Sequence, residues 1–116
     1  GTLFIMPKRV AETDPFTQLS DTTGSGPFIF KRDEWKPGDK TVYVKNPKYK
    51  PRAEPPSGLA GGKVAKVDRV EWVAMSDQQT VVNALINGEI DMIESPQFDL
   101  FPLFAKDKNI ELFAAN

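Results

Sequence analysis

Acidic side chains are the residues of this chain whose types and spacing could do chemistry. They form two clusters, Asp33 with Glu34 and Glu89 with Asp91 and Glu94. On a strand, Glu89 and Asp91 would point to one face, where two carboxylates could act as acid and base or ligate a hard cation. Solvated charge at a helix end and on a polar strand face explains the same pattern more simply. We therefore predict no catalytic or metal-binding role for either cluster.

A phosphate-binding loop and a hydroxyl nucleophile are both weakly supported by the sequence. Gly24-Ser25-Gly26 has the composition of a phosphate-binding loop, but a P-loop needs a longer glycine spacing followed by Lys and Ser or Thr on a helix. Pro27 and an extended segment follow instead. We therefore expect these glycines to form a backbone turn through which the chain enters the sheet. The sequence contains no His and no Cys, which removes the usual base for a hydroxyl nucleophile and the commonest zinc ligands. It predicts neither an enzyme nor a cofactor.

Aromatic residues could form a stacking platform for bases or sugars, since Tyr49 lies in the basic stretch 45–52. Fifteen basic and 16 acidic residues give a net charge of −1, which argues against a nucleic-acid or anionic-membrane partner. Trp72 alternates with Val70 and Ala74, so we predict a core position for its side chain. On that prediction, Trp72→Ala would unfold or strongly destabilise the protein.

A helix between two strands is predicted in the second half of the chain. Ser76 and Gln79 have the spacing of a capping box, an apolar stripe follows, and Gly88 has the position of a left-handed C-terminal cap. The predicted bounds are 77–87 for the helix, and 67–75 and 90–94 for the strands. Because the links are short, we expect a right-handed β-α-β unit with parallel strands.

An antiparallel hairpin is predicted upstream, with strands in 27–35 and 40–45 and a turn at Lys36-Pro37-Gly38-Asp39. Residues 46–66 contain four prolines and three glycines, which predict a long surface loop. A short helix and a last strand are expected near the end, at 98–106 and 110–113. The predicted fold class is therefore α/β, with a mixed sheet that combines an antiparallel hairpin and a β-α-β unit.

The candidate ligand-binding residues lie at the carboxyl end of the strand predicted at 90–94. They are Glu94, Ser95, Pro96 and Gln97. In open α/β sheets, ligands bind in the crevice beyond the carboxyl ends of the strands. The simpler alternative is that Ser95-Pro96 caps the short helix that comes next.

Four segments, in order, resemble the family 5 extracellular solute-binding proteins, the binding subunits of peptide and nickel ABC importers. Gly24-Ser25-Gly26-Pro27-Phe28 is similar to the family's G-T-G-P-Y/F segment. Val44 to Lys50 is similar to x-R-N-P-x-Y-W, with Lys45 in place of Arg and Lys50 in place of Trp. The strand Val67 to Val70 is similar to L-D-x-I/V. Ala84 to Asp91 is similar to A-L-x-x-G-E-I-D. The resemblance covers about residue 20 to the end of the chain.

The resemblance implies a periplasmic or otherwise extracytoplasmic binding protein with a membrane permease as partner. A peptide is the first candidate ligand, with nickel chelates, opines and sugars as alternatives. The whole chain, 1–116, would be a single partial domain within the first lobe of a larger protein, and 94–97 would face the cleft between lobes. Two lobes would close around the solute.

Two other classes stay open. One is a standalone interaction domain that adds a partner strand to the hairpin edge, and the other is an enzyme of the same superfold, which a His or Cys would support. A partial lobe would also expose apolar surface and unpaired strand edges. We therefore expect self-association, with Phe4, Phe28, Leu112 and Phe113 as the main apolar contacts.

Overall fold

The computed structural model describes residues 5–113 of the 116-residue chain. The chain divides after Ala74 into two compact units. The first unit holds α1 (Lys8–Ala11), β1 (Phe28–Phe30), a 3₁₀ turn (Arg32–Glu34), β2 (Lys40–Lys45) and β3 (Arg69–Val73). The second holds α2 (Gln78–Ile86), a 3₁₀ turn (Phe98–Leu100) and α3 (Phe101–Phe104). None of the helices in the described part of the chain has the length and apolar character needed to cross a membrane.

The first unit is built on an antiparallel sheet with the order β1-β2-β3. Ile29 of β1 lies opposite Val44 of β2, and Val42 of β2 lies opposite Glu71 of β3. The turn between β1 and β2 is closed by the Asp39 N–H, which donates to the Lys36 carbonyl at 3.0 Å. The predicted hairpin is confirmed, although β1 is shorter than expected because the chain enters the 3₁₀ turn two residues after Phe30.

The core of the first unit is centred on the middle strand, where Val42 is fully buried. The opposite face of the sheet carries aromatic side chains, with the rings of Phe30 and Tyr43 5.6 Å apart. Trp72 lies on that face but is 48% exposed, so its predicted core position is wrong. The reason is topological, because β3 is an edge strand and a side chain at a sheet edge has strand neighbours on one side only.

The second unit is built around α2, which begins one residue later than predicted. Asp77, not Ser76, is the N-cap, and its carboxylate accepts hydrogen bonds from both the N–H and the hydroxyl of Thr80 at 2.7 Å. A carboxylate is a stronger acceptor than a serine hydroxyl for the unpaired amides of a first turn. Val82 and Ala84 of α2 and Phe104 of α3 are buried and form the core of this unit.

The C-terminus of α2 has the predicted glycine cap. Gly88 adopts a φ of +72°, its N–H donates to the Leu85 carbonyl at 3.1 Å, and the Glu89 N–H donates to the Ala84 carbonyl at 2.8 Å. This pair of bonds is a Schellman motif, and it requires a left-handed residue at the glycine position.

The strand predicted after α2 does not form. Residues 90–94 and 110–113 are neither helix nor strand, and the sheet of the described residues contains antiparallel pairs only. The α/β class and the hairpin are therefore confirmed, and the β-α-β part of the prediction is corrected. A short apolar segment becomes a strand only when a neighbour pairs with its N–H and C=O groups, and its periodicity does not specify that neighbour.

The loop 46–66 is folded back on itself without helix or strand. Ser57 and Ala60 form an isolated bridge, and the Lys63 ammonium donates to the Gly58 carbonyl at 2.7 Å and the Ala60 carbonyl at 2.9 Å. The Gly62 N–H donates to the Glu54 carbonyl at 2.9 Å. Several backbone polar groups of the loop are thus satisfied locally.

Candidate functional site

The predicted ligand-binding segment lies in the second unit, before the 3₁₀ turn that leads into α3. Glu94, Ser95 and Gln97 are exposed and Pro96 is half-buried. The N-cap of the 3₁₀ turn is Gln97, which caps it without a side-chain hydrogen bond. The alternative in which Ser95 caps the next helix is therefore wrong, and the ligand-binding role of all four residues stays a prediction.

Hydrogen bonds anchor the chain four residues before this segment and at its last residue, Gln97. Upstream, the half-buried Ile90 donates its N–H to the Ala84 carbonyl at 3.3 Å, so the chain leaves the α2 terminus in a defined direction. Downstream, the Leu100 N–H donates to the Gln97 carbonyl at 3.0 Å, and α3 follows with the buried Phe104. The segment thus presents a carboxylate, a hydroxyl and an amide to solvent between two anchored parts of the second unit.

Asn46 joins two of the segments that carry the family resemblance. Its N–H donates to the Pro27 carbonyl at 2.8 Å, and its side-chain Nδ2 donates to the Gly26 carbonyl at 3.1 Å. Its Oδ1 accepts from the Lys48 N–H at 3.0 Å, a local turn that asparagine favours. This role of Asn46 was not predicted from the sequence, although Asn before Pro at a strand end is a turn signal.

An open apolar cleft of about 530 Å³ lies where β1 begins. Its walls are Pro27, Phe28, Pro56, Gly62, Lys63, Val64 and Ala65. A side chain at position 62 would not fit this arrangement, because a Cβ there would lie 2.6 Å from the Arg52 carbonyl oxygen. The Lys63 ammonium is bound to the carbonyls of its own loop, so the cleft offers mainly apolar surface.

The first acidic cluster is neutralised by basic neighbours. Glu34 accepts two hydrogen bonds from Arg69, at 2.6 and 3.3 Å, and an Asp33 oxygen lies 3.1 Å from the Lys31 ammonium. Hydrogen bonds from Arg69 lower the pKa of Glu34, and the hydrogen bond from Lys31 lowers the pKa of Asp33. A general acid at neutral pH needs a raised pKa, so these carboxylates have the properties of ion-pair partners.

The second acidic cluster does not converge. Glu89 lies directly after the glycine cap and accepts a hydrogen bond from Asn87 Nδ2 at 3.3 Å, while Asp91 and Glu94 follow in irregular backbone. Within residues 5–113, no three His, Cys, Asp or Glu side chains are close enough to hold a metal ion. The shared strand face that would have aligned these carboxylates is missing.

Comparison with known proteins agrees with the resemblance seen in the four sequence segments. Residues 2–116 match the family model described as bacterial extracellular solute-binding proteins, family 5 Middle. The chain is 48% identical over 115 residues to the "Probable peptide ABC transporter periplasmic-binding protein y4tO" of Sinorhizobium fredii (strain NBRC 101917 / NGR234). That match covers 97% of this chain and 22% of the relative, so the chain spans about a fifth of the relative's length. The chain belongs to the bacterial extracellular solute-binding proteins of family 5.

Proposed function

We propose that this chain is part of the periplasmic solute-binding component of an ABC importer that takes up peptides. The observation that carries the proposal is the 48% identity, over 97% of the chain, to a relative named as a probable peptide ABC transporter periplasmic-binding protein. The partners are a peptide ligand and a membrane permease. Nickel chelates, opines and sugars are the alternative solutes.

The mechanism proposed for the whole protein is lobe closure. The chain, residues 1–116, contributes a single partial domain of the first lobe, and solute held between two lobes favours the closed form that docks on the permease. Glu94, Ser95 and Gln97 suit a peptide, because a carboxylate can pair with its terminal ammonium and the hydroxyl and amide can bond to its main chain. Exposure of all three side chains supports this role.

Binding without catalysis is part of the proposal. The family is one of solute-binding proteins, and the clustered carboxylates Asp33 and Glu34 are held in ion pairs with lowered pKa values. Such carboxylates stay ionised at neutral pH and neither give nor take protons there.

Calorimetry on the protein encoded by the whole reading frame tests the ligand class. We expect heat of binding from a mixture of short peptides and none from nickel chelates, opines or sugars. Ser95→Ala and Gln97→Ala should each weaken peptide binding, whereas Lys50→Ala, at an exposed position of the loop 46–66, should not. Unchanged affinity in both variants would refute the role of 94–97, and binding of a non-peptide solute alone would refute the peptide assignment.

A standalone interaction domain is the second candidate, favoured by the geometry of β1. Pro27 O accepts from the Asn46 N–H and the Lys31 N–H donates to Val42 O, so the odd-numbered residues of this segment bond to β2. The N–H and C=O groups of Phe28 and Phe30 therefore point away from the sheet, where an extended partner could pair with them. Peptide binding by residues 1–116 alone would favour this candidate over a two-lobed binder.

A further inference from the structure

The exposed dipeptide Asn87-Gly88 at the end of α2 has a chemical consequence that does not depend on transport. We propose that Asn87 is a site of spontaneous modification, at which the side-chain amide is lost and aspartate or isoaspartate forms. Both residues are exposed. Asn87 is the C-cap of α2, and Gly88 follows it in the left-handed conformation.

The reaction needs an attack by the following backbone nitrogen on the asparagine side chain. Gly88 N, after losing its proton to hydroxide, bonds to Asn87 Cγ, and the bond from Cγ to Nδ2 breaks as Nδ2 takes a proton from water and leaves as ammonia. Water then opens the five-membered imide at one of its two carbonyls, which gives aspartate or isoaspartate. One water is consumed, one ammonia is released and nothing is oxidised or reduced.

Three other asparagines of the described chain form a natural comparison, because each lacks one requirement. Asn46 precedes Pro47, which has no N–H to lose. Asn83 precedes Ala84, which is buried within α2. Asn109 precedes Ile110, whose branched Cβ crowds the attacking nitrogen.

Gly88 has none of these three obstacles: it has an N–H, it is exposed, and nothing lies within 4 Å of where its Cβ would be. The Gly88 N–H donates to the Leu85 carbonyl at 3.1 Å, in the last turn of α2. Helix ends open more readily than helix interiors, so the nitrogen becomes available without unfolding of the unit.

The product would disturb the cap that stabilises the end of α2. Isoaspartate adds a methylene group to the backbone between Asn87 and Gly88, so the N–H groups of Gly88 and Glu89 lose their register with the carbonyls of Leu85 and Ala84. Either product also places a new carboxylate beside Glu89, which now accepts from Asn87 Nδ2. Negative charge at a helix C-terminus is unfavourable.

Mass spectrometry of the purified protein, incubated at mildly alkaline pH, tests the proposal. The tryptic peptide 70–106 contains both Asn83 and Asn87, and fragmentation between them assigns the change of amide to acid. We expect conversion at Asn87 before any other asparagine, and an isoaspartate-specific methyltransferase should label the product. Asn87→Gln should abolish the early conversion, and the aged parent should show a lower Tm than the aged variant.

A parallel incubation in urea shows which asparagines convert when the protein is unfolded. It thus separates the effect of the neighbouring residues in sequence from the effect of the fold. Earlier conversion at Asn83 or Asn109 in the folded protein would overturn the proposal. So would an Asn87 that stays intact in the folded protein while it converts in urea, because the cap would then protect the residue. Absence of conversion in both samples would overturn it as well.

Discussion

The side chain of Asn46 holds the carbonyl of Gly26, with 3.1 Å between Nδ2 and the carbonyl oxygen. Asn46 lies just after β2 and Gly26 lies shortly before β1, so this hydrogen bond extends the pairing of the two strands beyond their last ladder residues. It also joins two segments of the family resemblance that are 20 residues apart in sequence. The position is partly buried, where water replaces a lost partner poorly.

Asn46→Ala should therefore lower the free energy of unfolding by about 1–2 kcal/mol, the usual result of leaving a partly buried acceptor unpaired. Urea denaturation followed by tryptophan fluorescence measures this. Asn83→Ala is the matched control, because Asn83 is exposed on α2 and its side-chain oxygen accepts a surface hydrogen bond from Gln79. Equal destabilisation by the two variants would contradict the structural role of Asn46.

Arg69 should make the protein sensitive to acid. Its hydrogen bonds are the largest cause of the lowered pKa values of both Glu34 and Glu71. A carboxylate with a lower pKa in the folded state contributes stability above its ordinary pKa and loses it as the pH falls through the folded value. We expect Tm to be nearly constant from neutral pH down to about 4.5, the ordinary value for both groups, and to fall below it.

Arg69→Met should reduce the part of this acid-dependent loss that comes from Glu34 and Glu71, and should lower Tm at neutral pH. Arg32→Met removes a cation that donates to the Leu19 carbonyl and not to a carboxylate, so its Tm should keep the parent's acid dependence. Differential scanning calorimetry across the acid range measures both variants. An identical acid profile for Arg69→Met and Arg32→Met would show that the Arg69 pairs do not contribute.

Local signals predicted the parts of the fold that a few neighbouring residues decide. The turn at 36–39 and the cap at Gly88 could be predicted because short-range geometry selects those residues. The pairing of β2 with β3 could not, since Val42 and Glu71 are far apart in sequence and alternation does not specify a partner strand. The same limit explains why 90–94 was assigned to a strand.

The candidate site divides in the same way. Glu94 to Gln97 were selected by their place at the carboxyl end of a predicted strand, and residues 90–94 form no strand, so the family resemblance and the exposure of Glu94, Ser95 and Gln97 remain as their support. The apolar cleft beside Phe28 was not predicted, because it depends on how the loop 46–66 folds back toward β1. Trp72 was misassigned because alternation shows which residues share a face and does not show whether that face is covered.

Val42→Ala should destabilise the protein by about 2–3 kcal/mol, since it removes two methyl groups from a fully buried site and leaves a cavity. Val73→Ala is the same substitution on the same face of the sheet, at a residue that is 45% exposed. It should cost well under half as much. Thermal or urea unfolding of both variants measures the difference, and similar losses would show that Val42 is not the centre of the first unit.

Gly62→Ala should open the loop that lines the apolar cleft. A Cβ at this position would lie 2.6 Å from the Arg52 carbonyl oxygen and 2.8 Å from that of Glu54, both of them backbone atoms. Limited trypsin digestion should then cut faster after Arg52 and Lys63 than in the parent. Gly24→Ala, where nothing lies within 4 Å of the added Cβ, should digest at the parent rate, and parent-like digestion of Gly62→Ala would refute the tight packing of this loop.

Self-association of this chain is the last prediction, and apolar exposure near its end motivates it. Leu112 is 46% exposed and Phe113 is 81% exposed, while Phe28 is half-buried on the open edge strand β1 and Phe4 lies outside the described residues. Pairing of two copies would cover apolar surface and satisfy edge N–H and C=O groups together.

Light scattering across a dilution series should show a mass that rises with concentration. Leu112→Lys combined with Phe113→Lys should shift that rise to higher concentration, whereas Phe16→Lys, at a residue 98% exposed elsewhere in the sequence, should shift it less. A monomer at every concentration of the parent would count against the prediction.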